Sequence, residues 1–425
     1  TEDDFHATRH KLIFKAVVDL DSNNSPYDAV LINQWLEMHG HSEAAGGERY
    51  IMQILGDAPS SFYNLVSYAE KLKDFTTCRK VEAEAQKIIL NARSLTVSRG
   101  DLVFNAQTAF AEISTEQSTE SLFHIHEAAA NTFVEMHEKM TAMVAGKTMI
   151  KGIQTGIYDL DQKLGDVEPG CLMVIGARPA MGKTTMLQVI ASNVAIFQQK
   201  PVLIMSGEMP KEQIAMRMCC AAGPADISKV RNAPHTLPAE EFTAYTNAVA
   251  LLKNVPMQIN DTSRPSIANI RESVRKIKHQ YGSVGAVFID YLQIMKTTKA
   301  FAREDLKIAY FTGELKAMAK EFDCVVVLLS QLNRELEKRP NKRPVMSDLR
   351  ESGAIEQDAD QILFLYRDEI YNKESKYQGI AEAILGKNRH GEIGTSYMHS
   401  QLKYCQFSNL DSQAIEQLQG LGGGV

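Results

Sequence analysis

The chain has 425 residues, 46 Lys and Arg against 52 Asp and Glu, and a net charge of −6. At roughly 150 residues per domain this length predicts two or three domains, each able to bury a full core. The acidic balance excludes a protein coated in positive charge, so any nucleic-acid contact must use local cations. The longest apolar runs, such as Val325–Leu329 and Cys171–Ala177, fall far short of the roughly 20 apolar residues of a membrane span. The N-terminus TEDDFHATRHKLIF has no signal-peptide pattern and no initiating Met, so a trimmed chain is expected. Cys78, Cys171, Cys219, Cys220, Cys324 and Cys405 form no CxxC or Cys/His cluster. That argues against zinc and for core thiols of a reducing, cytoplasmic protein.

His10–Leu20 carries Ile13, Phe14, Val17, Val18 and Leu20 at helical spacing. Ser25-Pro26 interrupts, and further apolar stripes cover Val30–Met38 and Tyr50–Leu55. After the break at Ala58-Pro59-Ser60-Ser61, a long helix is predicted over Asn64–Ala92. Residues 1–105 thus read as an all-helical N-terminal domain with no evident catalytic constellation. Ser114–Ser121 reads as linker. Beyond it Leu122, Ile125, Ala129, Phe133, Met136, Met140 and Met143 are spaced 3, 4, 4, 3, 4 and 3 apart, one face of a helix. Residues 106–148 are therefore a linker with an amphipathic helix, packed on its own domain or docked on a neighbouring subunit.

From Lys151 the pattern changes to short apolar runs separated by helical stretches. The runs are Cys171–Ala177, Pro201–Ser206, Gly285–Leu292, Cys324–Ser330, Gln361–Tyr366 and Glu382–Leu385. They predict an α/β domain over residues 149–412 with a parallel sheet covered on both faces. The tail 413–425, ending GLGGGV, is expected to be flexible.

The strongest chemical signal is CLMVIGARPAMGKTT at Cys171–Thr185, a strand running through a loop into a helix. Backbone N–H groups from Ala180 through Gly182 to Thr185 would wrap a β-phosphate. Lys183 would reach the β- and γ-phosphates, and Thr184 would hold Mg²⁺. Ala177 stands where the first Gly of G-x-x-x-x-G-K-[ST] is expected, so the chain must avoid a left-handed turn there. VFID ends in Asp290, the place of a Mg²⁺-organising carboxylate. Glu208 follows VLIMS and reads as a general base for the attacking water, or as a first-turn carboxylate favoured by the helix dipole. Gln331, at the end of another strand, could sense the γ-phosphate. Arg334, Lys338, Arg339, Lys342 and Arg343 crowd into ten residues, with Pro340 among them and Pro344 directly after, either a solvated loop or a track for a phosphate backbone. Lys387-Asn388-Arg389-His390-Gly391 predicts a tight turn whose cations could enter a neighbour's nucleotide site.

Taken in order, these segments resemble the replicative DNA helicases of the DnaB type. ARPAMGKTT resembles that family's Walker A, including the Ala in its first position, and VFIDYLQIM its Walker B. GEMP matches the segment carrying the catalytic glutamate, here Glu208, and LLSQLNR the segment carrying the glutamine sensor, here Gln331. Arg217, on IAMRMCC, matches a nucleotide-contacting arginine. ILGKNRHGEIG looks like the hairpin whose Lys387 and Arg389, flanking Asn388, serve the adjacent nucleotide. DLRESGAIEQDADQILFLYRD resembles the DNA-contacting motif. It implies Arg350 on a phosphate, Gly353 giving close backbone approach, and Glu351 orienting Arg350 or a neighbour's loop. DDFHATRHKLIFKAV and AGGERYIMQILGDAPSSFYNLVSYAEKLKD resemble the family's helical N-terminal domain, without its usual first helix. The 122–143 stripe falls where the family has a linker helix on the adjacent subunit.

The resemblance implies a RecA-like P-loop ATPase domain preceded by an all-helical N-terminal domain and a linker helix. It implies ATP and Mg²⁺, and a homohexameric ring moving 5′ to 3′ on single-stranded DNA and unwinding duplex. A primase and a helicase loader are implied partners, with no membrane. A RecA/RadA-type recombination ATPase shares the core but does not account for the helical N-terminal domain. A non-unwinding loader ATPase needs no finger in trans.

Overall fold

The computed structural model describes all residues except 1, 24, 27, 58–64, 95–101, 103–104, 107–108, 111–123, 145–149, 298, 300, 350–351, 390 and 423–425. It divides into two units, Thr1–Glu138 and Lys139–Val425.

The first unit is helical, with helices Thr8–Ser22, Ala29–Met38, Ser42–Ala45, Gly47–Asp57 and Leu65–Ser94. Asp28 starts the second by accepting the N–H groups of Val30 and Leu31 at 3.0 and 2.9 Å, the usual way to satisfy first-turn donors. Ala16, Ala29, Ile32, Leu36, Ala45 and Ile51 form a small core, with Leu12, Ile13, Val17 and Trp35 against it. A further helix covers Ile125–Val144. Ile125, Phe133, Met136, Met140 and Met143 of the apolar stripe are all exposed on it; Leu122 lies outside the described residues.

The second unit is built on a nine-stranded sheet in the order β3-β2-β4-β5-β1-β6-β7-β8-β9. The strands are β1 Leu172–Ala177, β2 Val202–Ser206, β3 Met257–Asn260, β4 Ala286–Asp290, β5 Val325–Gln331, β6 Gln361–Tyr366, β7 Ile380–Asn388, β8 Gly394–Gln401 and β9 Gln406–Ser408. β3 through β6 in that order pair in parallel. β7, β8 and β9 are added antiparallel. The sheet is therefore mixed, a correction to the all-parallel expectation. The unexpected strands have weak sequence signals: MQIN is short and half exposed, GTSYMHSQ is polar, and QFS is three residues long.

Successive residues of β1 bury on opposite faces, Met173 and Ile175 in one core and Leu172 and Val174 in the other. Each such side chain contributes about 1.5–3 kcal/mol by burial, so both faces must be covered by helices. Parallel pairing aligns the strand ends. Ala177 lies beside Gln331, and Ser206 beside Asp290. The loops after β1, β2, β4 and β5 therefore leave from one edge, the edge where open α/β sheets bind ligands.

Candidate nucleotide site

β1 ends at Ala177 and the helix Lys183–Ser192 begins six residues later. Ala177 is buried in the core as the last strand residue and does not take a left-handed conformation, so its methyl group is accommodated. The left-handed positions are Ala180 at φ 67° and Gly182 at φ 97°. A Cβ on Gly182 would also stand 2.6 Å from the Phe407 ring, so conformation and space both require glycine. The first helical bond runs from Met186 N–H to Gly182 O at 2.9 Å. The N–H groups of Lys183, Thr184 and Thr185 consequently lack helical acceptors, and with the positive end of the helix dipole they form an anion cradle.

The loop opens on a cleft of about 360 Å³ lined by Ala180, Gly182, Lys183, Thr184, Thr185, Glu208, Arg217 and Gln331, among others. Thr184 Oγ1 donates to Asp290 Oδ2 at 3.0 Å. Asp290 is 2% exposed, and its Oδ1 has no hydrogen-bond partner among the described residues. Burial pushes its carboxyl above the ordinary range, against the pull of Lys183 and Thr184. Burial likewise lowers the Lys183 ammonium, against Asp290 and Glu208. Both groups are thus held in a desolvated place where an added polyphosphate and cation would favour their charged forms. Glu208 is exposed in the turn after β2. That turn is fixed by Gly207 N–H on Asp290 O at 3.0 Å and by Ser206 Oγ on Met209 O at 2.7 Å. Arg217 reaches the cleft from the helix Lys211–Ala222.

Three contributors go beyond the residues that the motifs identify. Tyr291 lies under Lys183, with Nζ 4.4 Å from its ring centroid. Leu402 lines the cleft from the far end of the chain. Gln293 donates to Ser330 Oγ at 3.1 Å and accepts Gln331 N–H at 3.3 Å, tying the turn after β4 to the end of β5. Its one sequence signal is its place in DYLQIM, three residues past the end of a strand.

The hairpin cations lie elsewhere. Lys387 Nζ donates to the carbonyls of Glu356 and Ala359, each at 2.6 Å, closing the end of the helix Ser352–Asp358. Arg389 bonds Asp360 twice, N–H to carbonyl at 3.0 Å and Nη1 to Oδ1 at 3.2 Å. The other Asp360 oxygen accepts Lys316 Nζ at 2.6 Å and the N–H of Leu172 at 2.8 Å. Asn388 braces the hairpin, accepting Gln361 Nε2 at 3.2 Å and donating to Lys163 O at 3.1 Å. Asp360 sits at Leu172, the first residue of β1, whereas the phosphate loop starts after Ala177, the last. Five strand steps separate the two ends by roughly 17 Å. Lys387, Asn388 and Arg389 are thus not brought to the cleft of their own subunit.

Arg350 and Glu351 lie outside the described residues. Gly353 belongs to the helix Ser352–Asp358 and is exposed, with open space where a Cβ would stand. The basic run is less free than its composition suggests. Arg343 makes a bidentate bond to Glu382, both distances 2.7 Å, and Arg339 bonds Asp348 at 2.6 Å. Arg334 and Lys338 remain exposed. Among the described residues no helix is long and apolar enough to cross a membrane.

Comparison with known proteins agrees with this geometry. The DnaB-like helicase C-terminal domain model matches residues 152–409, and the N-terminal domain model matches residues 1–74. The replicative DNA helicase DnaB of Haemophilus influenzae is 35% identical over 97% of this chain and 88% of its own length. The replicative DNA helicase DnaC of Bacillus subtilis is 32% identical over 96% and 88%. A solved DnaB-like replicative helicase, described with its interactions with primase, superposes with a TM-score of 0.69 at 30% identity, covering 97% of this chain and 94% of that one. The ATPase domain of G40P superposes with a TM-score of 0.63 at 34% identity, covering 68% of this chain and all of that one. With a helical unit, a nucleotide-using α/β unit and these relatives along its length, the chain belongs to the DnaB-like family of replicative DNA helicases.

Proposed function

We propose that this chain is one subunit of a homohexameric ring that hydrolyses ATP at its subunit interfaces and moves 5′ to 3′ along single-stranded DNA. The observation that carries this reading is the division of polar and charged groups between the two ends of β1. Lys183, Thr184, Asp290, Glu208, Gln331 and Arg217 gather at one end. Lys387 and Arg389 stand at the other, where only a second subunit could present them to a nucleotide.

In this reading the N–H groups of Lys183, Thr184 and Thr185 bind the phosphates and Lys183 neutralises them. Glu208 holds the attacking water and accepts its proton. Gln331, fixed by Gln293, marks the γ-phosphate position. The residues present suit Mg²⁺, which takes one or two protein oxygens and completes its shell with water and phosphate. Thr184 Oγ1 and Asp290 with its unpartnered Oδ1 would hold the ion. Bound there, it would offset charge on the phosphate oxygens. Arg389 and Lys387 of the adjacent subunit would add positive charge as the γ-phosphate leaves, an effect worth about 10³–10⁵ in rate. Arg350 and Gly353 would touch the DNA backbone, and the exposed stripe of Ile125–Val144 would dock on the neighbouring subunit. A primase is a proposed partner because the solved relative is described with one; a loader is proposed on the family likeness.

The test mixes two inactive variants. Arg389→Ala and Glu208→Gln subunits, each inactive alone, should recover hydrolysis when co-assembled, since some interfaces then carry Glu208 and Arg389 intact. Strict absence of recovery in verified mixed rings would overturn the trans arrangement.

A further inference from the structure

Two arginines brace the phosphate loop Arg178–Gly182. Arg178 fixes its beginning, through Nε on Glu337 Oε1 at 2.8 Å and Nη1 on Leu332 O at 3.0 Å. Arg367, directly after β6, reaches the middle: its Nη1 donates to the Ala180 carbonyl at 3.1 Å. The guanidinium is itself held in place. Nε donates to Glu369 Oε1 at 2.9 Å, Nη2 donates to the same oxygen, and Glu369 Oε2 accepts Gly379 N–H at 2.8 Å. The Arg367 and Glu369 side chains are 12% and 15% exposed, so this pair is largely withdrawn from water.

Ala180 is a residue that needs such a hold. At φ 67° its Cβ crowds its own backbone, a cost that glycine would not carry. The peptide between Ala180 and Met181 is planar, so a carbonyl turned toward Arg367 turns the Met181 N–H to the opposite side. That N–H makes a long 3.4 Å bond to Arg178 O. An anionic phosphate oxygen is a far better acceptor and would replace it. If Ala180 relaxed to negative φ, the peptide would rotate and could present its carbonyl, the negative end of the dipole, to the phosphates.

We propose that Arg367 is a positioning residue for nucleotide binding: it holds the left-handed Ala180 peptide so that the Met181 N–H faces the β-phosphate. The residue itself does not touch the nucleotide. This inference rests on the reading of Arg178–Gly182 as the phosphate cradle.

The test is the affinity of the full-length chain for a fluorescent ADP. Arg367→Gln should raise Kd about tenfold, equivalent to about 1.4 kcal/mol. Arg367→Lys keeps a cation able to donate to the carbonyl, and should raise Kd roughly threefold. In the Arg367→Gln background Ala180→Gly should recover at least about threefold in Kd, more than it changes Kd in the wild-type background, because glycine holds the left-handed conformation unaided. A general structural role for the Arg367–Glu369 pair predicts no such rescue. An equal effect of Ala180→Gly in both backgrounds would overturn the proposal, as would an unchanged Kd in Arg367→Gln. Should Arg367→Gln fail to fold, Arg367→Lys with and without Ala180→Gly makes the same comparison. Lys183→Ala separates the two layers. ADP binding lost in that variant and intact in Arg367→Gln sinks the positioning role alone, whereas binding intact in Lys183→Ala sinks the cradle reading.

Discussion

Replacing Asp360 by Asn should separate the stability of the finger hairpin from its chemistry. The Asp360 side chain is 3% exposed and serves Lys316, Arg389 and the Leu172 N–H at once. Burial alone would raise its pKa, but Lys316, Leu172 and Arg389 outweigh burial and hold it below the ordinary carboxylate value. Removing one member of a buried ion pair costs about 3–5 kcal/mol. Here Lys316 keeps the Gly170 carbonyl at 2.8 Å, and Asn retains one acceptor oxygen. The expected cost is therefore lower, about 2–3 kcal/mol. At about 2–4 °C per kcal/mol for a unit of this size, the C-terminal unit should melt roughly 4–12 °C lower by calorimetry at neutral pH. The depressed pKa fixes the sign with pH. Its stabilisation is complete above the unfolded value near about 3.9 and is lost as pH falls through the folded value, so the two proteins should converge in acid. Arg389→Ala makes the contrast. Its side chain is 64% exposed, and an exposed pair is worth less than about 1 kcal/mol, so that variant should melt almost normally while losing hydrolysis. Equal melting of Asp360→Asn and wild type, or a loss in Arg389→Ala as large as in Asp360→Asn, would refute this partition.

Lys183→Ala should lower steady-state ATP hydrolysis by at least about a hundredfold, because it removes the cation that this loop carries into the phosphate cleft; near-normal turnover would remove the site assignment. Arg343→Met leaves Glu382 buried at 2% exposure without its bidentate donor, and should cost about 3 kcal/mol in urea denaturation while leaving the salt dependence of DNA binding unchanged. Arg350→Ala should weaken single-strand binding and reduce its salt slope by about 0.7 for each phosphate no longer neutralised, and an unchanged slope would exclude that phosphate pairing. Thr184→Val removes a bond that lowers the Asp290 pKa. The change also removes an oxygen proposed to hold Mg²⁺, so the Mg²⁺ needed for half-maximal hydrolysis should rise, and rise more steeply with falling pH than in wild type, because protons compete with Mg²⁺ for Asp290.

Features with a local cause are legible in the sequence. The phosphate loop is visible because strand, glycine and lysine must be contiguous, and Asp290 because its carboxylate ends an apolar strand downstream of that loop. Helix positions in the first unit follow from apolar spacing. Partnerships across the chain leave no such trace. Arg343 looks like a free cation beside Lys342, yet its partner Glu382 lies 39 residues away in β7. Asp360 gains its role only because β6 starts beside Leu172, 188 residues earlier in the chain. Arg367 shows the same limit: nothing local relates the Arg of FLYRD to an alanine 187 residues earlier. β8 and β9 escape a reading based on apolar runs because an edge that is half exposed needs little apolar character.

The −6 net charge bears on DNA binding through the placement of its cations rather than through their total. Two of the five cations in the basic run are neutralised within their own subunit, Arg339 by Asp348 and Arg343 by Glu382. The run therefore supplies less field than its composition implies, and the positive charge offered to a strand must come from few residues used repeatedly. In the proposed ring that suffices, since each cation recurs in every subunit. The same economy holds at the helix Ser352–Asp358. Its end is bonded by Lys387 at Glu356 and Ala359, by Thr312 at Asp358, and through Asp360 by Lys316 and Arg389. The helix Ser352–Asp358 is thus joined by direct hydrogen bonds to the hairpin of Lys387 and Arg389. In the proposed ring these bonds would give the DNA-facing loop and the neighbouring nucleotide a short connection through a single subunit.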